Sequence, residues 1–119
     1  MKSLGDDCET AAASWLQEHG MQVLLRNFRG KTGEIDIIAR DRDHLVFLEV
    51  RARRNRAFNS AAGSVDRRKQ QRILRTAQLF LQRNPALAGL PCRFDVIAFE
   101  PRQSGDDLEI RWIPGAFTA

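Results

Sequence analysis

The sequence predicts an α/β fold in which a mixed central sheet is flanked by helices, with elements in the order α-β-β-β-α-β-β. Two segments carry apolar residues at helical spacing, and five shorter apolar-rich runs are bounded by turn residues. The 119 residues are 43% hydrophobic and 29% charged, which is typical of a globular protein rather than a disordered or membrane chain. Because this length suits one domain with its own core, residues 1–119 are predicted to form a single domain.

The first helix is predicted over Asp7–His19, where apolar side chains recur at helical spacing and Gly20 follows as a C-terminal stop. Acidic residues in its first turn are favoured by the helix dipole. Gln22–Phe28 is predicted as the first strand, and residues 29–33 are predicted as the turn that follows it.

A β-hairpin and a second helix are predicted in the middle of the chain. Glu34–Arg40 and Leu45–Arg51 are apolar-rich runs on either side of the polar residues 41–44. Val65–Arg83 has the clearest apolar stripe in the sequence, with Ser64 as its N-cap. Two last strands are predicted after this helix, Cys92–Phe99 and Leu108–Ile113.

The hairpin brings acidic residues together if its turn has an even number of residues. A turn centred on residues 42 and 43 sets Asp36 opposite Glu49 and Glu34 opposite Arg51. Because side chains two apart share a face, all four would project from one side of the sheet. An odd-length turn would shift the pairing by one residue and break the cluster.

Opposed carboxylates on a sheet repel each other, so such a pair favours a cation between them. Asp36 and Glu49 each lie within an apolar strand, where burying an unpaired charge is costly. Carboxylate oxygens are hard ligands that suit Mg²⁺ or Mn²⁺. Two simpler interpretations stay open at this point: Glu34 and Arg51 form an ordinary cross-strand ion pair, and Asp36 is a solvated edge residue.

Positive charge is concentrated in one part of the chain. The net charge is +4, yet residues 51–75 contain nine basic residues and a single acid. Such an asymmetry predicts a face that binds a polyanion, with a solvated loop and helix face as the simpler alternative. The nine are Arg51, Arg53, Arg54, Arg56, Arg67, Arg68, Lys69, Arg72 and Arg75.

Features of the chain ends and cysteines bear on location. The N-terminal segment lacks the apolar run of a signal peptide, and no stretch approaches the ~18 apolar residues of a membrane span. Cys8 and Cys92 form no C-x-x-C pair, and we expect both to be buried thiols in a reducing compartment. The sequence therefore predicts a cytoplasmic protein.

The acidic strands carry a recognisable pattern. The run Gly33-Glu34-Ile35-Asp36-Ile37-Ile38-Ala39, followed by Glu49-Val50-Arg51, resembles the PD-(D/E)XK nuclease superfamily, whose fold is restriction-endonuclease-like. Nearly the whole chain, through Arg26-Asn27-Phe28-Arg29 to the tail at 112–117, resembles the YraN-like family of uncharacterised bacterial proteins more closely. That family is similar in fold to the archaeal Holliday-junction resolvases.

The resemblance implies roles for particular residues. Asp36 matches the motif aspartate, Glu49 the acid of the (D/E)XK half-motif and Glu9 a helix glutamate of resolvase-like members; all three would be ligands of Mg²⁺ or Mn²⁺. Arg51 stands where the motif lysine usually lies. Since arginine does not give up its proton, it would stabilise phosphate charge while metal-activated water supplies the base. Either Gln70 or Gln71 lies near a helical Gln or Lys position of related nucleases, although a surface glutamine is the simpler interpretation.

The resemblance thus implies a metal-dependent endonuclease that hydrolyses phosphodiester bonds of branched, flapped or single-stranded DNA. No base-reading motif is present in the sequence, so selectivity for structure is expected. Because Arg51 replaces lysine, a non-catalytic nucleic-acid-binding module on the same fold is the alternative, and an adaptor for an acidic protein is a third. Resolvase-like relatives act as dimers, which raises a homodimer as an option. The residues expected to hold the DNA backbone are Arg53, Arg54, Arg56, Arg67, Arg68, Lys69 and Arg72.

Overall fold

The chain folds in the predicted order of elements, as a computed structural model that describes residues 4–52, 65–101 and 108–118. A short 3₁₀ helix over Pro85–Leu87 follows the second α-helix. The predicted α/β class is therefore confirmed. In chain order the elements are α1 (Leu4–Glu18), β1 (Gln22–Gly30), β2 (Gly33–Asp41), β3 (His44–Ala52), α2 (Arg67–Arg83), β4 (Cys92–Pro101) and β5 (Leu108–Phe117).

The five strands form one sheet in the order β1-β2-β3-β4-β5. Three neighbouring pairs are antiparallel, and only β3 and β4 run parallel within the described strands. A parallel pair needs a long crossover connection, and α2 lies in that connection. The mixed sheet predicted from the sequence is confirmed.

The two helices cover opposite faces of the sheet. Ala12 and Leu16 of α1 pack with Val46 and Leu48, whereas α2 packs its apolar stripe against Phe47. Since both faces of β3 are covered, residues 45–48 are all buried and read as a continuous apolar run. Neither helix in the described part of the chain is long and apolar enough to cross a lipid bilayer.

Helix α2 begins two residues later than the sequence pattern predicts. Its N-cap is Asp66, whose carboxylate Oδ1 accepts the backbone N–H of Lys69 at 2.8 Å. The prediction of a start at Val65 with Ser64 as the cap is wrong, because Asp66 can satisfy a free amide of the first turn and places a negative charge at the positive end of the helix. Val65 is instead buried in the core, and Ser64 lies outside the described residues.

Strand β5 is longer than predicted, and one cysteine is placed differently. β5 continues past Ile113 because Phe117 pairs with Phe94 of β4, with their rings stacked at 5.2 Å between centroids. Cys8 is buried as expected, but Cys92 is exposed at the start of β4, so the prediction of two buried thiols is wrong for Cys92.

A fully buried carboxylate ties the last two strands together. Asp95 Oδ1 accepts hydrogen bonds from Arg93 Nε at 3.0 Å and from the backbone N–H of Gly115 at 2.9 Å. Its Oδ2 accepts the indole N–H of Trp112 at 2.9 Å. Arg93 also donates to Asp41 at the end of β2, at 3.2 Å. Each group of this network is satisfied only while Asp95 keeps its charge and position.

We predict that Asp95→Asn destabilises the fold, because it leaves Arg93 half-buried with one carboxylate partner fewer. Breaking a buried charge pair from one side costs on the order of 3 kcal/mol in the free energy of unfolding. Urea denaturation measures this loss. The matched control is Asp41→Asn, which removes the more exposed partner of the same arginine and should cost clearly less; equal losses would contradict the role given to Asp95.

Candidate metal centre

Strands β2 and β3 pair in the predicted register only along part of their length. The paired residues run from Asp41 opposite His44 to Ile37 opposite Leu48. Beyond them, Asp36 Oδ2 accepts the backbone N–H of Val50 at 2.8 Å. The register does not include the predicted pairs Asp36–Glu49 and Glu34–Arg51, although the structure describes all four residues. At this point the Val50 amide bonds a side chain, so the backbone pairing does not continue. We call this open end of the β2–β3 pair the fork.

Three carboxylates meet at the fork. Glu9 of α1 and Glu34 and Asp36 of β2 each offer an oxygen, and these oxygens lie within 4.8 Å of one another. All three residues are partly buried. The structure thus brings together two residues that the resemblance implies as ligands, Glu9 and Asp36, and adds Glu34, which the hairpin geometry placed in the cluster.

Asn27 of β1 is a member of the site that the sequence analysis did not identify. Its backbone is left-handed, with φ at +56°, a conformation that asparagine tolerates better than most residues. With its amide oriented to donate, its nitrogen lies 3.0 Å from Glu34 Oε1 and 3.1 Å from Glu9 Oε1. A polar Asn inside a strand pattern was the signal available in the sequence, but nothing there indicated which acids it would contact.

Glu49 lies beside the three carboxylates and carries two cationic partners. Its side chain is buried, and its Oε1 is 2.6 Å from Lys69 Nζ and 3.6 Å from Arg51 Nε. Lys69, which the sequence analysis assigned to backbone contacts, therefore reaches from α2 into the cleft lined by Glu34, Asp36 and Glu49, which we call the acidic cleft. An ammonium group is therefore present in the site, although Arg51 stands at the strand position where the resemblance implies a lysine.

Crowding shifts the protonation of the buried acids. Burial raises the pKa of Asp36 to about 6; the Val50 N–H opposes this rise and the neighbouring Glu9 adds to it. Burial, and then the charge of Asp36, also raise the pKa of Glu49, while Lys69 works in the opposite direction. Both shifts arise first from burial, which disfavours the charged form of a carboxylate, and a divalent cation bound at the fork would favour that charged form.

Three of the predicted candidates make contacts within the protein. Glu34 forms an ion pair with Arg29 of β1 at 3.3 Å, and Arg51 forms one with Glu49. These two ion pairs replace the Glu34–Arg51 ion pair that was considered from the sequence. Gln70 donates its side-chain amide to the carbonyl of Val65 at 2.9 Å. Its amide nitrogen is therefore used to hold the segment before α2.

Helix α2 contains six cations and no carboxylate, and we call it the cationic helix. Arg67, Arg68 and Lys69 occupy its first turn, where the helix dipole disfavours positive charge, and Arg72 adds like-charge neighbours at helical spacing. Arg67, Arg68 and Arg72 are exposed, and Arg72 lines the acidic cleft with Lys69. Three further backbone-contact candidates, Arg53, Arg54 and Arg56, lie outside the described residues.

Comparison with known proteins identifies one family. The sequence model of "Uncharacterised protein family UPF0102" matches residues 8–99. A UPF0102 protein of Saccharophagus degradans is 48% identical over 96% of this chain and 92% of its own length. A UPF0102 protein of Alcanivorax borkumensis is 44% identical over 98% of this chain and 92% of its own length. Another, of Pseudomonas fluorescens, is 42% identical over 95% of this chain and 91% of its own length.

We predict that Asp36→Asn stabilises the metal-free protein increasingly as pH rises. With its pKa raised to about 6, folded Asp36 binds more protons than the unfolded side chain, whose pKa is about 3.9, so ionising it between about pH 4 and 7 lowers the free energy of unfolding. The asparagine oxygen can still accept the Val50 N–H. Urea denaturation in EDTA across this pH range measures the difference from wild type.

The matched control for that experiment is Glu18→Gln, which neutralises an exposed acid at the end of α1. Its stability difference from wild type should stay small and flat with pH. A flat difference for Asp36→Asn as well would show that Asp36 is not held in a destabilised charged form.

Proposed function

The chain belongs to the uncharacterised protein family UPF0102, and we propose that it is a metal-dependent endonuclease that hydrolyses phosphodiester bonds of branched, flapped or single-stranded DNA. One observation carries the proposal: the carboxylates of Glu9, Glu34 and Asp36 lie within 4.8 Å of one another beside the cationic helix. In this proposal the chain is a member of the PD-(D/E)XK superfamily and acts in the cytoplasm.

The donor set of the fork fits Mg²⁺ or Mn²⁺. It consists of carboxylate oxygens, the hard ligands that these ions prefer, and it contains neither sulfur nor imidazole among the described residues. Glu9, Glu34 and Asp36 would hold the cation. Glu49, which the resemblance implies as a ligand, lies next to them and holds Lys69. When bound, the cation supplies Lewis-acid activation of water and of the phosphodiester.

The cations of the cleft can stabilise negative charge on the phosphate. Lys69 is fixed by Glu49 at 2.6 Å, and Arg51 contacts the same carboxylate oxygen at 3.6 Å. Both positive groups are thereby positioned before substrate arrives, which is what electrostatic stabilisation of a developing charge requires. Arginine side chains do not act as bases in proteins, so the role of Arg51 is limited to binding and charge stabilisation.

The cationic helix supports DNA as the substrate. Of the three cations in its first turn, Lys69 is paired with Glu49, whereas Arg67 and Arg68 are exposed and form no ion pair with any described residue. Phosphates of a DNA backbone would supply the missing negative charge. Such contacts carry no sequence information, which supports selectivity for DNA structure.

We predict metal-dependent cleavage that requires Asp36. Labelled duplex, single-stranded, flapped and four-way DNAs should be cut in Mg²⁺ or Mn²⁺ and not in EDTA, with at least one branched or single-stranded form preferred over duplex. Asp36→Asn should lower the rate by more than about 100-fold, since loss of an outer-shell group alone typically costs about 10- to 100-fold. Asp43→Asn, far from the fork, is the control and should cut like wild type.

The same panel distinguishes the alternative function. If no DNA is cut with either metal while salt-sensitive binding persists in wild type and in Asp36→Asn, the endonuclease proposal is wrong. The ion pairs of Glu49 with Lys69 and Arg51 would then have a structural role, in a non-catalytic module that binds nucleic acid.

We also predict that two neighbouring cations of α2 act differently. Lys69→Gln should lower kcat by about 100-fold, the effect of removing one preorganised donor, because Lys69 Nζ lies in the cleft. Arg68→Gln, which removes an exposed charge one residue earlier, should weaken DNA binding and leave kcat near wild type. Single-turnover cleavage at saturating DNA separates the two. Equal losses of kcat would contradict the placement of Lys69 in the site.

A further inference from the structure

We infer that a DNA strand leaving the acidic cleft continues along α2 into a second groove, which binds its phosphates several nucleotides from the fork. The groove lies between the β1–β2 turn and the C-terminal half of α2 and has a volume of about 530 Å³. The inference rests on the proposed function, because it assigns a path to the same DNA, but the groove can be tested without cleavage.

The charge of the groove suits a polyanion. Lys31 contributes from the β1–β2 turn, and Arg75 and Arg83 contribute from α2. None of the described residues that line the groove is acidic. Leu79 and two glutamines complete the α2 side, so the groove offers apolar and hydrogen-bonding surface between its cations.

These cations have no carboxylate to neutralise them within the described residues. Arg29 and Lys69, near the fork, are each paired with a glutamate. Lys31, Arg75 and Arg83 form no ion pair with any residue that the structure describes. Arg83 packs its guanidinium over the ring of an aromatic residue of β1, 5.9 Å from the centroid, which orients the charge without neutralising it.

The two walls of the groove are fixed to each other. Thr32 Oγ1 of the turn and Thr76 Oγ1 of α2 are hydrogen-bonded at 2.8 Å. A methyl group at Gly30 would collide with the end of the Leu79 side chain, so glycine there lets the turn approach α2 without displacing that leucine. The backbone at Lys31 is therefore held beside α2, so the turn itself needs no rearrangement on binding.

The groove continues from the acidic cleft. Lys69 and Arg72 line the cleft, Leu79 and Arg83 line the groove, and Thr76 lies between them at the same helical spacing. With a rise of 1.5 Å per residue, the helix carries the backbone about 21 Å between Lys69 and Arg83. At about 3.4 Å per nucleotide, that span corresponds to about six nucleotides of one strand.

The test measures DNA binding in EDTA, so it does not depend on catalysis. Fluorescence anisotropy of fluorescein-labelled 20-nucleotide single-stranded and 20-base-pair DNA, at several NaCl concentrations, gives the slope of log Kd against log[NaCl]. Lys31→Gln/Arg75→Gln should lower the slope by about 1.4 for single-stranded DNA, about 1.8 for duplex DNA, or both, because each of the two phosphate contacts contributes about 0.7 or 0.9. The control is Arg40→Gln/Arg42→Gln, which removes two charges at the opposite end of β2 and should bind like wild type.

The outcomes separate this inference from the proposed function. Equal slopes for the groove variant and wild type, or equal losses in the groove variant and the control, overturn the groove. Wild-type binding that is insensitive to salt overturns it too. If the groove variant loses slope but wild-type protein cuts no DNA in Mg²⁺ or Mn²⁺, the groove stands and the endonuclease proposal fails. If cleavage requires Asp36 but the groove variant binds normally, the endonuclease proposal stands and the groove fails.

Discussion

The hydrogen bond from the Val50 N–H to the Asp36 carboxylate is the interaction on which the candidate site depends. It occurs where the β2–β3 register ends, and it substitutes a side-chain oxygen for a strand carbonyl. The fork that results admits Glu9 from α1 on one face of the sheet and Lys69 from α2 on the other. Had the pairing continued as a regular hairpin, the N–H of Val50 would have needed a backbone partner and would not have fixed the Asp36 carboxylate.

The site places charge where the fold alone would not favour it. Buried acids with raised pKa values stand beside a helix whose first turn carries three cations and no acid of its own. Only one contact between these groups is short, from Lys69 to Glu49 among the described residues. Local arrangements that cost stability are characteristic of functional sites, where a ligand provides the compensation. A divalent cation would compensate the charge of the acids, and a DNA phosphate would compensate the charge of the α2 cations.

Helix α2 combines structural and recognition roles on different sides of one element. Its buried stripe, which includes Phe80, packs on the sheet, while the exposed sides carry the cations. The edge between them holds Lys69 at the acidic cleft and Arg83 at the second groove. Because the β1–β2 turn is bonded to this edge through Thr32 and Thr76, the sheet positions both sites relative to each other.

The sequence by itself determined the element types and their order, the register of β2 and β3 near their turn, and the acids and cations available to the site. Periodicity and turn chemistry act over a few neighbouring residues, so they can be interpreted locally. The N-cap at Asp66 escaped the local analysis because a serine two residues earlier offered the same chemistry. Only the tertiary structure decided that Asn27 contacts Glu9 and Glu34 and that Lys69, rather than a strand lysine, reaches Glu49. Those contacts depend on how two helices pack on opposite faces of the sheet, which no local pattern specifies.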